Sequence, residues 1–167
     1  LTSLNFNQDR LSIVVEMVVG ADGSLQESHI YQAWVRNHAK LAYNSVAAWL
    51  DDKAAIPEAI VAVEGLAKNL QLQDRTAQSL KNFRHIQGAL SLETIEAKPV
   101  FDGDQLRVLE IEGKNRAKEI IENFMIAANG VTARYLSAGK FPSIRRGVRI
   151  PKRWDRIVEI AAEHKLR

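Results

Sequence analysis

The sequence predicts an α+β fold in which antiparallel β-hairpins pack with helices. Two pairs of strand-like segments are each joined by an Asp-Gly turn, and the longest helical pattern, residues 113–136, follows the second pair. The predicted element order is ββααα-ββα-βα. With 167 residues, the chain is long enough for one domain with a substantial core, which we assign to residues 1–167.

The first hairpin combines a β-branched run at 11–19, the turn Gly-Ala-Asp-Gly-Ser at 20–24 and a second strand at 25–35. Alternation along this second strand separates two sets of side chains. One face is predicted to carry His29, Tyr31 and Ala33, and the other Ile30, Gln32 and Trp34.

Helical spacing predicts a helix at 39–50, and Pro57 suits the first turn of the next one. About two helices are expected between Pro57 and residue 88. The second hairpin follows, with strands at 89–101 and 105–112 around a turn at 102–104. Residues 141–150 are expected to be extended, and a last helix starts after Pro151. The apolar stripe of the 39–50 helix consists of Leu41, Val46, Trp49 and Leu50.

The 113–136 helix is amphipathic in an unusual way. Glu122 and Asn129 lie on one face, next to Met125 and Ile126. A carboxylate among apolar side chains either has a partner or contacts a ligand. The opposite face is predicted to be the core stripe, formed by Ala117, Ile120, Ile121, Phe124, Ala128, Val131 and Tyr135.

Composition excludes several kinds of chemistry. The chain has no cysteine, which rules out disulfides, thiolate catalysis and Cys-ligated zinc, and which fits a cytoplasmic protein. No apolar run approaches the roughly 20 residues that a membrane span requires, so no membrane partner is expected. The chain shows no signal-peptide pattern. Its first residue is Leu1 and not Met, which predicts a fragment or a processed chain.

Positive charge is concentrated between residues 134 and 156, where Asp155 is the only acid. Such a segment favours an anionic partner, nucleic acid foremost; the alternative is a solvated face whose acidic complement lies elsewhere in the fold. The basic side chains are Arg134, Lys140, Arg145, Arg146, Arg149, Lys152, Arg153 and Arg156.

Recognised catalytic patterns are missing from the sequence. The four histidines have no metal-ligand spacing, and there is neither a nucleophile-elbow serine nor a phosphate-binding glycine loop. The acidic pairs Asp51–Asp52 and Asp102/Asp104 are explained by turns, so no metal site is predicted there. Tyr43 lies near Arg36 and Lys40, as stacking on a nucleobase beside a phosphate requires, although the pattern alone favours the alternative of a half-buried core tyrosine.

Several segments together resemble the RNB catalytic domain of ribonuclease II and ribonuclease R. Residues 1–46 resemble its middle part, with the family's Arg-Ser-x-Ala-Arg-Leu-Thr-Tyr motif seen here from Arg36 to Tyr43. Residues 84–136 resemble its Arg-x-x-x-Gly-Ala-Leu strand and its Glu-Glu-x-Met-x-x-Ala-Asn helix, seen here from Glu122 to Asn129. The resemblance runs from residue 1 to about 140 with order and spacing preserved.

The resemblance implies a 3′→5′ exoribonuclease that uses two magnesium ions. The family's metal-binding aspartates precede the point where this chain begins, and a Thr-Ser-Pro-x-Arg-Arg-Tyr segment would follow residue 167. The chain is therefore expected to be a central portion of one RNB-like catalytic domain, to lack catalytic and Mg²⁺-binding residues, and to be inactive alone. RNA and the remaining segments of the parent nuclease are the expected partners.

Residue by residue, the resemblance places Tyr43 near the terminal nucleotides and Glu122 on the sugar of the 3′-end, where a 2′-hydroxyl separates RNA from DNA. Leu92 stands where some members carry a base-stacking aromatic, which puts base clamping in doubt. Asn37, Lys40 and Ala42 also depart from the family's Ser, Arg and Thr. The predicted RNA-binding set is Arg36, Lys40, Tyr43, Glu122, Asn129, Arg145 and Arg146.

Two other functions fit the same sequence. A degenerate RNB-like protein would bind RNA or a protein partner without catalysis. A protein-interaction domain of the α+β class would merely share the helical patterning, and its binding would not depend on salt concentration.

Overall fold

The computed structural model describes residues 3–90, 97–111, 115–144 and 152–164. It confirms the α+β class and both hairpins; residues 141–144 form no strand, and the rest of the predicted extended segment lies outside the described residues. The elements are β1 (Asp9–Val19), β2 (Leu25–Arg36), α1 (Tyr43–Leu50), α2 (Glu58–Val61), α3 (Leu66–Ile86), β3 (Ala97–Asp102), β4 (Gln105–Ile111), α4 (Arg116–Ala138) and α5 (Trp154–Glu163).

Strands β1 and β2 form the predicted antiparallel hairpin, with Leu11 opposite Trp34 and a bulge between Val18 and Val19. The predicted turn closes it, because the Gly20 amide donates to the Ser24 carbonyl at 2.8 Å. A Cβ on Gly23 would lie 2.1 Å from the backbone oxygen of Ser79 in α3. Glycine is therefore required at this turn for close contact with α3, in addition to its positive φ of 86°.

Strands β3 and β4 form a second, separate two-stranded sheet. Gly103 lies in its turn with a φ of 60°, and a Cβ there would meet no atom within 4 Å. This turn therefore needs glycine for its backbone conformation, not for close packing. Residues 91–96 of the predicted first strand lie outside the described residues.

The core joins the first four helices. Its buried members come from α1, α2, α3 and α4, and the predicted apolar stripe of the first helix contributes to it, with Val46 buried and the others partly buried. Burial of these side chains provides the main driving force for holding the helices together. The buried residues are Val46, Ala47, Ile60, Leu70 and Ala117.

Helix α4 begins where Asn115 caps it: the Asn115 side-chain oxygen accepts from the amides of Ala117 and Lys118, both at 3.1 Å. The predicted core stripe is wrong in part. Tyr135 is 53% and Ile121 44% exposed, and Phe124 is only partly buried. The buried stripe is Ala117, Ile120, Asn123, Ala127 and Val131, so an asparagine takes a core position.

The chain divides into two compact units, residues 1–135 and 136–167. In the second unit, α5 is amphipathic and contains no buried residue, with Trp154 53% exposed. The assignment of residues 1–167 to one domain stays a prediction. None of the helices in the described part of the chain is long and apolar enough to cross a membrane.

Candidate nucleic-acid interface

Helix α4 is fixed against α3 by polar contacts between their side chains. Arg116 donates two hydrogen bonds to the Asp74 carboxylate, at 2.9 and 2.6 Å, and Asp74 is 3% exposed. One turn along, Lys81 pairs with Glu119 at 3.0 Å. Further along, Arg84 donates to the Asn123 side-chain oxygen. We call this row of contacts the α3–α4 seam.

The start of α1 lies beside the start of α4. The Asn115 side-chain amide donates to the Asn44 side-chain oxygen at 2.9 Å, which joins the residue after Tyr43 to the cap of α4. Tyr43 opens α1 and is 48% exposed. Glu122 follows Asn115 by two turns, about 10 Å along the helix axis. The structure thus brings the elements that carry Tyr43 and Glu122 together.

The outward face of α4, which carries Glu122 and Asn129, is solvent-exposed. Within the described residues, neither side chain has a hydrogen-bond or ion-pair partner, and the same holds for Lys40 and Tyr43. Met125 lies between the two polar residues and is 58% exposed. These exposed side chains offer a carboxylate, an amide, an amine and a phenol ring to ligands without any described contact having to be broken.

Arg36 differs from these residues because its charge is already paired. Its guanidinium forms a bidentate contact with Asp9, with distances of 2.6 and 2.7 Å. The hydrogen bond from Arg36 holds the pKa of Asp9 below its usual value, and Asp9 in turn raises the pKa of Arg36. The predicted sites Arg145 and Arg146, and also Leu92, lie outside the described residues.

The acidic pairs have other roles in the structure. Asp51 forms ion pairs with Lys53 at 3.1 Å and with Arg116 at 3.6 Å, and Asp102 lies 4.0 Å from Arg107. No group of three or more His, Cys, Asp or Glu in the described ranges could hold a metal ion. The donor groups of these residues therefore do not fit the Mg²⁺ that the resemblance implies.

Sequence reasoning missed a cavity of about 490 Å³ between the first hairpin turn, α3 and α4, with a lining that is more apolar than polar. Arg84 and Arg134 both line it, together with Asn123. Asn123 stands where the family motif quoted above has its second glutamate, and this departure from the motif was the signal that sequence reasoning could have used. Pattern alone could not pair Asn123 with Arg84, since 39 residues separate them.

Comparison with known proteins identifies the family. The model of the RNB domain matches residues 1–166. Ribonuclease R of Vibrio parahaemolyticus is 33% identical over 147 residues, which cover 87% of this chain and 17% of that protein. Exoribonuclease 2 of Salmonella arizonae is 32% identical over 140 residues, covering 81% of this chain and 21% of that protein. The chain thus spans about a fifth of the length of these relatives.

The fold is also known from experiment. A structure of Mycoplasma genitalium RNase R in complex with ribose methylated single-stranded RNA superimposes with a TM-score of 0.85 and 23% sequence identity. The match covers 96% of this chain and 25% of that one. Both hairpins and the helices between them therefore follow an established arrangement. This chain belongs to the RNB domain family.

Proposed function

We propose that this chain is the part of a 3′→5′ exoribonuclease that guides the 3′-terminal nucleotides of RNA. The observation that carries the proposal is the unpaired outward face of α4 in a chain that the RNB family model matches over residues 1–166. Membership in the RNB family, which also identifies the fold, supports the assigned reaction, the exonucleolytic hydrolysis of RNA. The surface itself supplies groups for a ribose, a base and a phosphate.

Glu122 is the group proposed to read the sugar. Its exposed carboxylate has no partner among the described residues, so it is free to accept a hydrogen bond from a ribose 2′-hydroxyl. Deoxyribose has no such donor. A carboxylate that loses water without gaining a hydrogen bond is destabilised, so DNA is disfavoured at this position.

Tyr43 is proposed to pack against a base or sugar near the 3′-end. About half of its surface is exposed, 48%, while the neighbouring Val46 and Ala47 anchor α1 in the core. A ring presented on a fixed helix end loses little conformational entropy when a base stacks on it, and stacking of this kind tolerates any base.

Lys40 is proposed to contact phosphate, because its exposed amine has no ion-pair partner in the described part of the chain. Arg36 has a smaller share, since phosphate would have to compete with Asp9 for its guanidinium. Asn129, on the face of Glu122, is proposed to hydrogen-bond the same nucleotide. Arg145 and Arg146 are proposed as further phosphate contacts from sequence alone.

The hydrolytic step is assigned to none of these residues. We propose that this chain binds and orients the RNA end, and that metal-dependent hydrolysis takes place on residues of the full-length protein outside it. Residues 1–167 alone are accordingly expected not to cleave RNA.

The test compares RNA with DNA. In the full-length protein, Glu122→Ala should reduce the ratio of kcat/KM for matched RNA and DNA oligomers by about tenfold or more, because one charged hydrogen bond to the 2′-hydroxyl is lost. The measurement is single-turnover cleavage of both oligomers under one salt concentration.

Glu64→Ala is the matched control, since it removes another exposed glutamate far along the chain from α4. It should leave the RNA-to-DNA ratio unchanged. Unchanged discrimination in the Glu122→Ala protein would overturn the sugar-reading role. Salt-dependent RNA binding without any cleavage by the unaltered full-length protein would instead support the non-catalytic RNA-binding function.

A further inference from the structure

The cavity between the hairpin turn and helices α3 and α4 is a second candidate site beside the outward face of α4, and Ile126 lies at the boundary between the two. Residues 23–28 form one wall, and the two helices form the other. The wall exists because Gly23 lets the turn approach the α3 backbone at Ser79. On α4 the lining positions Asn123, Ala127 and Gly130 are turned by about a quarter of the helix circumference from Glu122.

Arg84 is the anchor of this cavity. Its terminal nitrogen donates to Asn123, but its Nε is buried and has no hydrogen-bond partner within the described residues. Asn123 is neutral and its own amide donates to the Glu119 carbonyl at 2.7 Å, so it cannot balance the charge. A partly buried guanidinium with an unpaired nitrogen and no ion-pair partner among the described residues is unfavourable until an anion binds.

Arg134 adds a second cation to the same cavity. Its guanidinium folds back over α4, since a Cβ on Gly130 would lie 3.5 Å from Nη1 of Arg134. It forms no ion pair or hydrogen bond with any part of the chain that the structure describes. Glu27 also lines the cavity, and it pairs with neither arginine. Two arginines against one glutamate leave a positive balance.

The remaining lining combines small polar groups with an apolar wall. Ser28 and Gln26 offer a hydroxyl and an amide from the strand. Leu80, Phe83 and Ile126 give an apolar surface next to the arginines. A volume of about 490 Å³ lies within the usual range for small organic ligands. These features fit a phosphate group attached to a flat, partly apolar body.

From this geometry we infer that the cavity binds a small phosphate monoester of the nucleoside monophosphate class. Arg84 and Arg134 hold the phosphate, with the free Nε of Arg84 among the donors, and the wall formed by Leu80, Phe83 and Ile126 contacts the base. This inference does not rest on the proposed function, because it uses neither Tyr43 nor Glu122.

The test is titration calorimetry of the full-length protein with AMP, adenosine, inorganic phosphate and a single-stranded RNA oligonucleotide. AMP should bind, and both other small molecules should bind at least about tenfold more weakly, since each lacks one half of the ligand. Arg134→Gln should weaken AMP binding about tenfold or more through loss of a charged contact. Arg134 is exposed, so this variant should fold normally.

Arg75→Gln is the matched control: it removes an exposed arginine from α3 and should leave AMP affinity unchanged. Arg84→Gln should also lose AMP binding while circular dichroism shows the helices intact.

Absence of AMP binding at millimolar concentration, or equal affinity in Arg134→Gln, would overturn the inference. If inorganic phosphate bound with the same affinity as AMP, the assignment of an organic ligand to the cavity would be overturned. An RNA oligonucleotide that displaces AMP and depends equally on Arg134 would assign the cavity to RNA phosphates instead.

Discussion

The two sides of helix α4 use polar residues in opposite ways. Toward α3, Arg116 and Glu119 meet Asp74 and Lys81 in the seam, and the Asp74 side chain is 5% exposed. On the outward side, Glu122 and its neighbours lie in solvent with no partner among the described residues. One helix of 23 residues thus carries both a structural and a free polar surface.

The difference shows where polar groups stabilise the fold and where they are free for a ligand. A buried carboxylate must be paired, since desolvation of an unpaired charge costs several kcal/mol. An exposed carboxylate is hydrated and contributes little to folding. Substitutions in the seam should therefore reduce stability, whereas substitutions on the outward face should change only binding.

The largest effect is expected for Arg116→Ala. It leaves the buried Asp74 carboxylate without its bidentate partner and also removes a contact to the Leu50 carbonyl at 3.2 Å. Because the Arg116 side chain is 40% exposed, water replaces part of the loss, and the free energy of unfolding should fall by about 2 to 3 kcal/mol. Urea denaturation measures it.

The control for this variant is Arg75→Ala, which removes an exposed α3 arginine and should change the free energy of unfolding by less than about 0.5 kcal/mol. If both variants lose the same free energy of unfolding, the effect comes from the loss of positive charge in general and not from the contact between Arg116 and Asp74.

A smaller effect should appear at acid pH. The hydrogen bond from Lys53, and then that from Arg116, lowers the pKa of Asp51 from 3.8. A carboxyl whose pKa is lower in the folded state stabilises the fold above its unfolded pKa. That contribution is lost as pH falls from the unfolded value through the lower folded value, so the loss begins near pH 4. Asp51→Asn should therefore flatten the fall in stability with acidification.

Denaturation curves between pH 6 and pH 2.5 measure this slope for Asp51→Asn and for a control, Asp104→Asn. Asp104 is exposed and has no ion pair in the described ranges, so its variant should follow the unaltered protein. A steeper slope in Asp51→Asn would contradict the direction assigned to the pKa of Asp51.

The smallest effect on stability is expected on the outward face. Glu122→Ala and Asn129→Ala remove no described contact, so each should change the free energy of unfolding by less than about 0.5 kcal/mol. Thermal or urea denaturation checks this, and it also shows that any loss of RNA preference in Glu122→Ala is not caused by unfolding. A loss of more than about 1 kcal/mol in the free energy of unfolding would show that Glu122 stabilises the fold.

Local patterns predicted most of the secondary structure. The Asp-Gly turns predicted both hairpins because a left-handed residue is needed there, and Gly23 and Gly103 both have positive φ. The apolar stripe of the first helix likewise placed Val46 in the core. Boundaries shifted by a few residues: the helix predicted at 39–50 begins at Tyr43.

The hydrophobic pattern of α4 gave a wrong prediction where the burial of a residue depends on a partner that is distant in the sequence. Phe124 was predicted in the core and Asn123 was not, since hydrophobicity assigns the phenyl ring to the interior. In the structure Asn123 is 2% exposed because Arg84 and the Glu119 carbonyl satisfy its amide. No periodicity contains that information, because Arg84 belongs to another helix.

For the candidate site, too, the sequence indicated which residues to consider, and the structure showed which contacts they make. The family resemblance pointed to Tyr43 and Glu122, and the structure adds that α1 and α4 adjoin through Asn44 and Asn115. Arg36 was predicted to belong to the RNA-binding set, and the structure adds that Asp9, 27 positions earlier, pairs with it. Whether these residues bind RNA stays a prediction for the cleavage assay.

The sequence by itself determined the α+β class, the hairpin turns, the run of helices and the RNB family, because these depend on local backbone preference and on ordered motifs. Only the tertiary structure decided which polar groups are paired and which are free. Pairing depends on distance between side chains that are far apart in the chain, as with Arg116 and Asp74, 42 residues apart. The seam, the free outward face and the arginine-lined cavity all follow from those distances.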